Sequence, residues 1–287
     1  MSKLSVKNHD RDVAGYRYVY PVISRRSGGL SIGINFNTNN ACNWGCVYCQ
    51  VPDLTIGAAP ALDFALLAQE LSEFLHDVLH GRFYERFQLA PDMRVIKDIA
   101  ISGNGEPTSV KEFAKAIAVV VAQVEQANIP EPYQYVLISN GSLLHKADVQ
   151  AGLQLWHQHH GQIWFKLDSV SELGRLHINH TAMGLQQQSA NLLLASKLCQ
   201  TWVQTCVLTL ASEGQRYGLL EEQEQIAYLA FLRDMLAETS LQGVMLYALA
   251  RPSLQAEAQQ ITSATKAQLQ AFAGRIRQLG LMVQVAC

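Results

Sequence analysis

A partial (β/α)6 barrel, an α/β fold of the TIM-like kind, is predicted for this 287-residue chain from three observations. Apolar, β-branched runs of strand length alternate with longer segments of helical period. Those segments are long enough to serve as the right-handed crossovers that parallel strands require. The cysteine-rich, glycine-rich and charged motifs all follow a strand run, where the loops of such barrels carry their chemistry.

The expected strands, in order, are SIGINF (31–36), VIKDIAIS (95–102), YQYVLIS (133–139), QIWFKLD (162–168), WVQTCVLTL (202–210) and GVMLYAL (243–249). The first clear helix starts at Asp63 as N-cap, carries Leu67, Leu71, Phe74 and Val78 on one stripe, and closes at Gly81. A second sets Phe113, Ile117, Val120 and Val124 on one face before the Pro130 break, and a late one carries Leu269, Phe272, Ile276 and Leu279. The order reads βαβα throughout. We therefore expect a short N-terminal extension (1–30), a core domain (31–252), and an appended segment (253–287) of one helix and a short strand, LMVQV (281–285).

Composition is that of a globular domain, 49% hydrophobic and 16% charged. A net charge of −2 gives no reason to expect a broad nucleic-acid or membrane surface, and polymer binding is left unproven. The N-terminal MSKLSVKNHDRD has no apolar signal core, and AIAVVVA (116–122) is too short to span a bilayer. The expectation is a cytoplasmic protein without a membrane partner. In that reducing setting, clustered cysteines are metal ligands or redox groups rather than disulfides.

Three of the six cysteines, Cys42, Cys46 and Cys49, fall in ACNWGCVYCQVP (41–52), directly after the first strand run. A C-x3-C-x2-C loop can wrap three corners of an iron–sulfur cubane and leave the fourth iron without a protein ligand. Zinc competes, but a closed structural zinc site wants four protein ligands, and no Cys or His follows Cys49 until His76. A catalytic zinc held by three thiolates and water stays open as an alternative, as does a non-catalytic redox cluster. The remaining cysteines, Cys199, Cys206 and Cys287, are widely spaced and read as buried thiols.

Other strand ends add polar groups. In SGNGEPTS, Gly103 and Gly105 permit tight turns and close backbone approach, and Glu106 offers a carboxylate able to accept from an ammonium group. ISNGSL supplies Ser139 and Asn140. WFKLDS sets Lys166 and Asp168 on one face, two residues apart, as a polar lining. LYALARPS ends with Arg251, suited to an anionic group. Histidines 157, 159, 160, 177 and 180 could form a metal site, but read more simply as polar loop residues and one active-site neighbour.

CNWGCVYC resembles the signature loop of the radical S-adenosylmethionine superfamily, including the aromatic Tyr48 before the third cysteine. The resemblance implies that Cys42, Cys46 and Cys49 ligate a [4Fe–4S] cluster whose open iron is chelated by the amino and carboxylate groups of S-adenosylmethionine, with Tyr48 near the adenine. GNGEPT resembles the superfamily's Gly-Gly-Glu motif, implying that Gly103, Asn104, Gly105 and Glu106 hold the methionine amino group. ISNGSL resembles the next binding segment, implying ribose or carboxylate contacts by Ser139 and Asn140; Gln204 and Thr205 are further cofactor or substrate candidates on the same ground, and Lys166 and Asp168 join the cofactor-binding set.

The lead-in YVYPVISRRSGGLSIGIN and the Tyr247-x-x-x-Arg251-Pro252 segment narrow the resemblance to a group of Fe–S oxidoreductases near the wyosine-synthase-type and cofactor-biosynthesis radical enzymes, with Arg25, Arg26 and Arg251 as candidate substrate contacts. The activity implied is reductive cleavage of S-adenosylmethionine and hydrogen abstraction from a substrate, whether tRNA, peptide or cofactor precursor. The implied partner is a one-electron donor such as flavodoxin or ferredoxin. The run Ser27-Gly28-Gly29 and the glutamine-rich GLQQQSANLLLAS (184–196) depart from the usual pattern.

Overall fold

The computed structural model describes residue 4, residues 13–24 and residues 28–286. Its main sheet has eight strands hydrogen-bonded in sequence order: β1 (Val19–Ser24), β2 (Gly29–Ile34), β3 (Ile96–Ile101), β4 (Gln134–Ser139), β5 (Gln162–Lys166), β6 (Gln200–Cys206), β7 (Leu241–Tyr247) and β8 (Val283–Ala286). From β2 onward all neighbours are parallel; β1 alone runs antiparallel, paired from Val19↔Ile34 to Ser24↔Gly29. The sheet curls into a half-barrel, the α/β class expected.

Helices α1 (Phe64–His80), α2 (Phe83–Arg86), α3 (Phe113–Ala127), α4 (Ala147–Gln158), α5 (Glu172–Asn179), α6 (Leu185–Leu198), α7 (Glu222–Leu236) and α8 (Lys266–Arg277) lie between or beside the strands. The stripes expected from periodicity are the buried faces: Leu67, Leu71, Phe74 and Val78 in α1, and Phe113, Ile117, Val120 and Val124 in α3. Asp63 caps α1 by accepting from Leu66 N–H at 3.0 Å. Thr265 and Gln268 form a capping box at the start of α8. Glu70, buried on α1, accepts from the backbone N–H groups of Arg17 (2.9 Å) and Tyr18 (2.7 Å), tying the chain that enters β1 to the helix layer.

Strand alternation divides the side chains into two sets. On β2, Leu30, Ile32 and Ile34 join the main core against the helices, whereas Ser31 and Gly33 face the concave side. Burying each such Leu or Ile is worth about 1.5–3 kcal/mol. On the concave side, Ala100, Val136, Trp164, Trp202 and Met245 form a separate apolar cluster, the floor of the half-barrel.

Two features depart from the sequence expectation. The order is not βαβα throughout, because β1, inside the stretch expected as an extension, adds an antiparallel edge strand. Pro21 is tolerated there because its missing N–H falls on an edge strand. The single run expected at 202–210 is two strands. Its partner β7 ends at Tyr247, opposite Cys206, so Leu208–Ser212 leaves the main sheet and pairs antiparallel with Gln215–Tyr217 and Ile261–Ser263. Among the described residues, no helix is long and apolar enough to cross a membrane.

Candidate functional site

The cysteine loop leaves the end of β2 through NFNTNN, and asparagine side chains build its frame. Asn35 Oδ1 accepts from Asn37 N–H and Asn104 N–H, both at 3.0 Å. Asn37 Nδ2 donates to Ala41 O at 2.9 Å, Asn39 Nδ2 to Ala58 O at 3.0 Å, and Asn40 Nδ2 to Pro52 O at 3.0 Å. Short side-chain amides of this kind satisfy backbone groups that no sheet or helix can reach. Two remote segments clamp the loop. The end of α5 accepts from Gly45 N–H (to Asn179 O, 3.2 Å) and Val47 N–H (to Ile178 O, 2.9 Å). Ser253 Oγ donates to Val47 O at 2.6 Å, and Gln255 Nε2 to Cys49 O and Val51 O.

Cys42, Cys46 and Cys49 all border one cavity of about 930 Å³ at the C-terminal ends of the strands. Burial pushes the Cys42 thiol up to about 12, partly offset by a backbone hydrogen bond from Trp44. Burial likewise pushes Cys46 up to about 11, against the opposing pull of the Lys166 ammonium. Asn179 Nδ2 lies 3.3 Å from Cys46 Sγ.

On the β3–β4 flank, Glu106 is buried with its carboxylate surrounded by donors. Oε1 accepts from Thr108 N–H (3.2 Å), Thr108 Oγ1 (2.5 Å) and Ser139 Oγ (2.6 Å); Oε2 accepts from Asn140 N–H (2.7 Å). Burial nonetheless raises its pKa, because these donors are neutral and offset the loss of water only in part. Gly105 has no room for a Cβ, which would strike Ala41 O, and at Gly103 one would strike Asn35 Oδ1. The glycines let this loop sit directly on the cysteine loop.

On the β5–β6 flank, Asp168 accepts from Asn179 Nδ2 and Cys206 N–H, both at 2.9 Å, and from Tyr48 OH. Lys166 Nζ stands 3.9 Å from Asp168 Oδ2 and donates to Tyr247 OH at 3.0 Å, with the Tyr48 ring 4.9 Å away. Burial disfavours the ammonium, but the charge of Asp168 and the Tyr247 contact outweigh it, and the Lys166 pKa ends above its usual value. Tyr48, held between these groups, has its phenol pKa raised by burial first and by Asp168 second.

Tyr48, Gly103, Asn104, Gly105, Glu106, Asn140, Lys166, Gln204 and Arg251 all line the cavity with the three cysteines. Ser139 and Asp168 stand one layer behind, bonding Glu106 and Tyr48. Thr205 faces the helix layer instead, its hydroxyl bonded to Leu167 O and Tyr228 OH. Strand alternation explains this, since Gln204 and Thr205 cannot point the same way. Arg251 pairs with Gln50 across the mouth. Arg25, Arg26 and Cys287 lie outside the described residues.

The histidines do not gather: His177 stacks on Tyr217 at 4.2 Å, His159 meets Glu125 at 2.9 Å, and His180 stands 3.7 Å from Glu257. Cys199 Sγ donates to Gly161 O at 2.9 Å, and Cys206 is buried beside Tyr48 and Val47. The glutamine-rich run became α6, where Gln188 Nε2 donates to Lys166 O at 3.3 Å. Asn179, which stands between His177 and His180 in no recognisable motif, touches both the cysteine loop and Asp168.

Among the described residues, no group of three or more His, Cys, Asp or Glu side chains could hold a single metal ion. A cubane places no such demand, because each thiolate binds a different iron. Three thiols beside a large cavity therefore fit such a cluster, and Gln204 Nε2, a buried cavity donor with no hydrogen-bond partner among the described residues, leaves a place for a ligand oxygen.

No family model matches the chain. Among curated proteins, a GTPase Obg from Brachyspira hyodysenteriae is 26% identical over 134 residues, a stretch that spans 46% of this chain and 17% of the GTPase. Among solved structures, TYW1 with a lysine-pyruvate adduct bound superposes with a TM-score of 0.54 at 12% identity, covering 88% of this chain and 74% of that one. Native anSMEcpe with bound AdoMet superposes at 0.51 and 14% identity, covering 85% and 60%. The chain shares the fold of these two structures.

Proposed function

We propose that this chain is a radical S-adenosylmethionine enzyme. The observation that carries the reading is the convergence of Cys42, Cys46 and Cys49 with the Gly103–Glu106 loop on one cavity at the strand ends of that fold. When bound, a [4Fe–4S] cluster and S-adenosylmethionine would supply one-electron reductive cleavage of a carbon–sulfur bond and hydrogen abstraction from the substrate. Cys42, Cys46 and Cys49 would hold the cluster. Glu106 presents its carboxylate to the cofactor's ammonium group with no ion pair to a cation among the described residues, where its Oε2 accepts from Asn140 N–H. Tyr48, fixed by Asp168 and Lys166, gives the adenine a rigid wall. The floor of Trp164, Trp202 and Met245 closes the cavity below and excludes water.

The electron would come from an external donor such as flavodoxin or ferredoxin, and the substrate class spans tRNA, peptide and cofactor precursor.

The test is the low-temperature electron paramagnetic resonance spectrum of anaerobically reconstituted, dithionite-reduced protein, with and without S-adenosylmethionine. A [4Fe–4S] signal that changes on addition is expected, and Cys46→Ala should lose the cluster. A signal indifferent to S-adenosylmethionine would point to a redox sensor. Bound zinc without iron would overturn the cluster reading altogether.

A further inference from the structure

Asn179 ends α5 and is buried, with 1% of its surface exposed. It meets the cysteine loop twice. Its backbone carbonyl accepts from Gly45 N–H at 3.2 Å, and its side-chain nitrogen lies 3.3 Å from Cys46 Sγ. The same nitrogen lies 2.9 Å from Asp168 Oδ2. An amide –NH2 has two donors, one for each acceptor. Asp168 also settles which end of the amide faces the sulfur: flipped, the amide oxygen would oppose a carboxylate that is already held by Tyr48 OH, Cys206 N–H and the nearby Lys166. Among the described residues, Cys46 is the only one of the three cysteines whose sulfur receives a side-chain N–H.

We propose that Asn179 is a positioning residue that sets the reduction potential of the cluster through its N–H···S bond to Cys46. The inference rests on the cluster reading above. Reduction places one further negative charge on a cluster and its thiolates. An N–H dipole aimed at a ligating sulfur stabilises that charge and so favours the reduced state. Asp168 has a second task on this view, beyond anchoring Tyr48: it keeps the donor aimed. The sequence separation between Cys46 and Asn179 explains why no local motif announces the contact.

The experiment is a potentiometric titration of the reconstituted protein, followed by electron paramagnetic resonance, for the wild type, Asn179→Ala and Asn179→Leu. The leucine variant keeps the bulk and loses the donor. Both should load the cluster and titrate at a more negative potential, with the reduced-to-oxidised ratio at fixed potential falling about tenfold, about 59 mV for a one-electron couple. Full loading with unchanged potentials would overturn the proposal. A wild type that takes up no [4Fe–4S] cluster would instead remove the functional reading beneath it.

If neither variant loads, the wild type decides. With ¹⁵N in the asparagine side-chain amides and no S-adenosylmethionine present, electron–nuclear double resonance of the reduced cluster should show a ¹⁵N coupling. The amide of Asn43, the asparagine next to Cys42, is directed to Ser142 Oγ at 2.7 Å. Absence of any ¹⁵N coupling would overturn the proposal.

Discussion

Glu106 and Asp168 stand at strand ends on the two flanks of one cavity, both buried, and their charges are met in opposite ways. Glu106 is surrounded by four neutral donors from Thr108, Ser139 and Asn140. Asp168 takes three donors and a cation, Lys166, at 3.9 Å. Among the described residues, the first flank therefore keeps a negative charge facing the cavity with no cation paired to it, ready for a cationic ligand group. The second is close to neutral and acts as a rigid wall. One flank binds and the other braces.

The comparison is broken most severely by removing charge while keeping shape. Asp168→Asn strands Lys166, whose side chain is only 16% exposed, and should cost about 3–5 kcal/mol of stability, the usual penalty for breaking a buried ion pair. Glu106→Gln strands no ion. It turns one acceptor into a donor among donors and should cost about 1–3 kcal/mol. Urea unfolding of both variants measures the difference. Equal losses would mean that Glu106 has a counter-charge after all.

Acid sharpens the same contrast. The folded pKa of Glu106 lies above its ordinary value of 4.5 because burial penalises the anion, so the folded state binds this proton more readily than the unfolded one. The favourable contribution is then fully present below the unfolded value and is lost as pH rises through the folded one. Relative to Glu106→Gln, the wild type should gain stability as pH falls from neutrality towards 4.5. Parallel pH profiles for the two proteins would contradict the raised pKa.

The binding flank was legible in the sequence because its partners are close or sit in neighbouring strand-end motifs. Glu106 bonds Thr108 two residues away and Ser139–Asn140 at the end of the next strand, and both stretches carry recognisable composition. The bracing flank was legible only in part. Lys166 and Asp168 announce a polar face by their spacing, but the groups that complete it come from far away: Tyr48 lies 120 residues from Asp168. Asn179 and Cys206 lie 11 and 38 residues away, on elements whose own sequences give no reason to point there. The asparagines of NFNTNN are a third kind of case. Each reads as a turn residue, and only the fold shows that they hold the cysteine loop to the glycine loop. β1 escaped because an edge hairpin breaks an alternation that every other strand obeys.

The finest test asks whether the two flanks differ donor by donor. Ser139→Ala removes one hydroxyl from Glu106 Oε1 and leaves both Thr108 donors on that oxygen. Tyr48→Phe removes the phenol from Asp168 Oδ2 and leaves Asn179 there, with Lys166 still opposite. A hydrogen bond to a charged acceptor is worth about 1.5–3 kcal/mol, and one between neutral groups about 0.5–1.5. Asp168 keeps a counter-charge in Lys166, so Tyr48→Phe should cost less than Ser139→Ala. Ser139→Ala strips a donor from a carboxylate that depends on donors alone, and should fall in the upper range at neutral pH. Acidification should then reduce the cost of Ser139→Ala, because a protonated Glu106 needs that donor less. Chemical denaturation of the two variants at two pH values distinguishes these outcomes, and a pH-independent cost for Ser139→Ala would show that the serine serves the β4 turn through its bond to Gly141 N–H rather than the carboxylate.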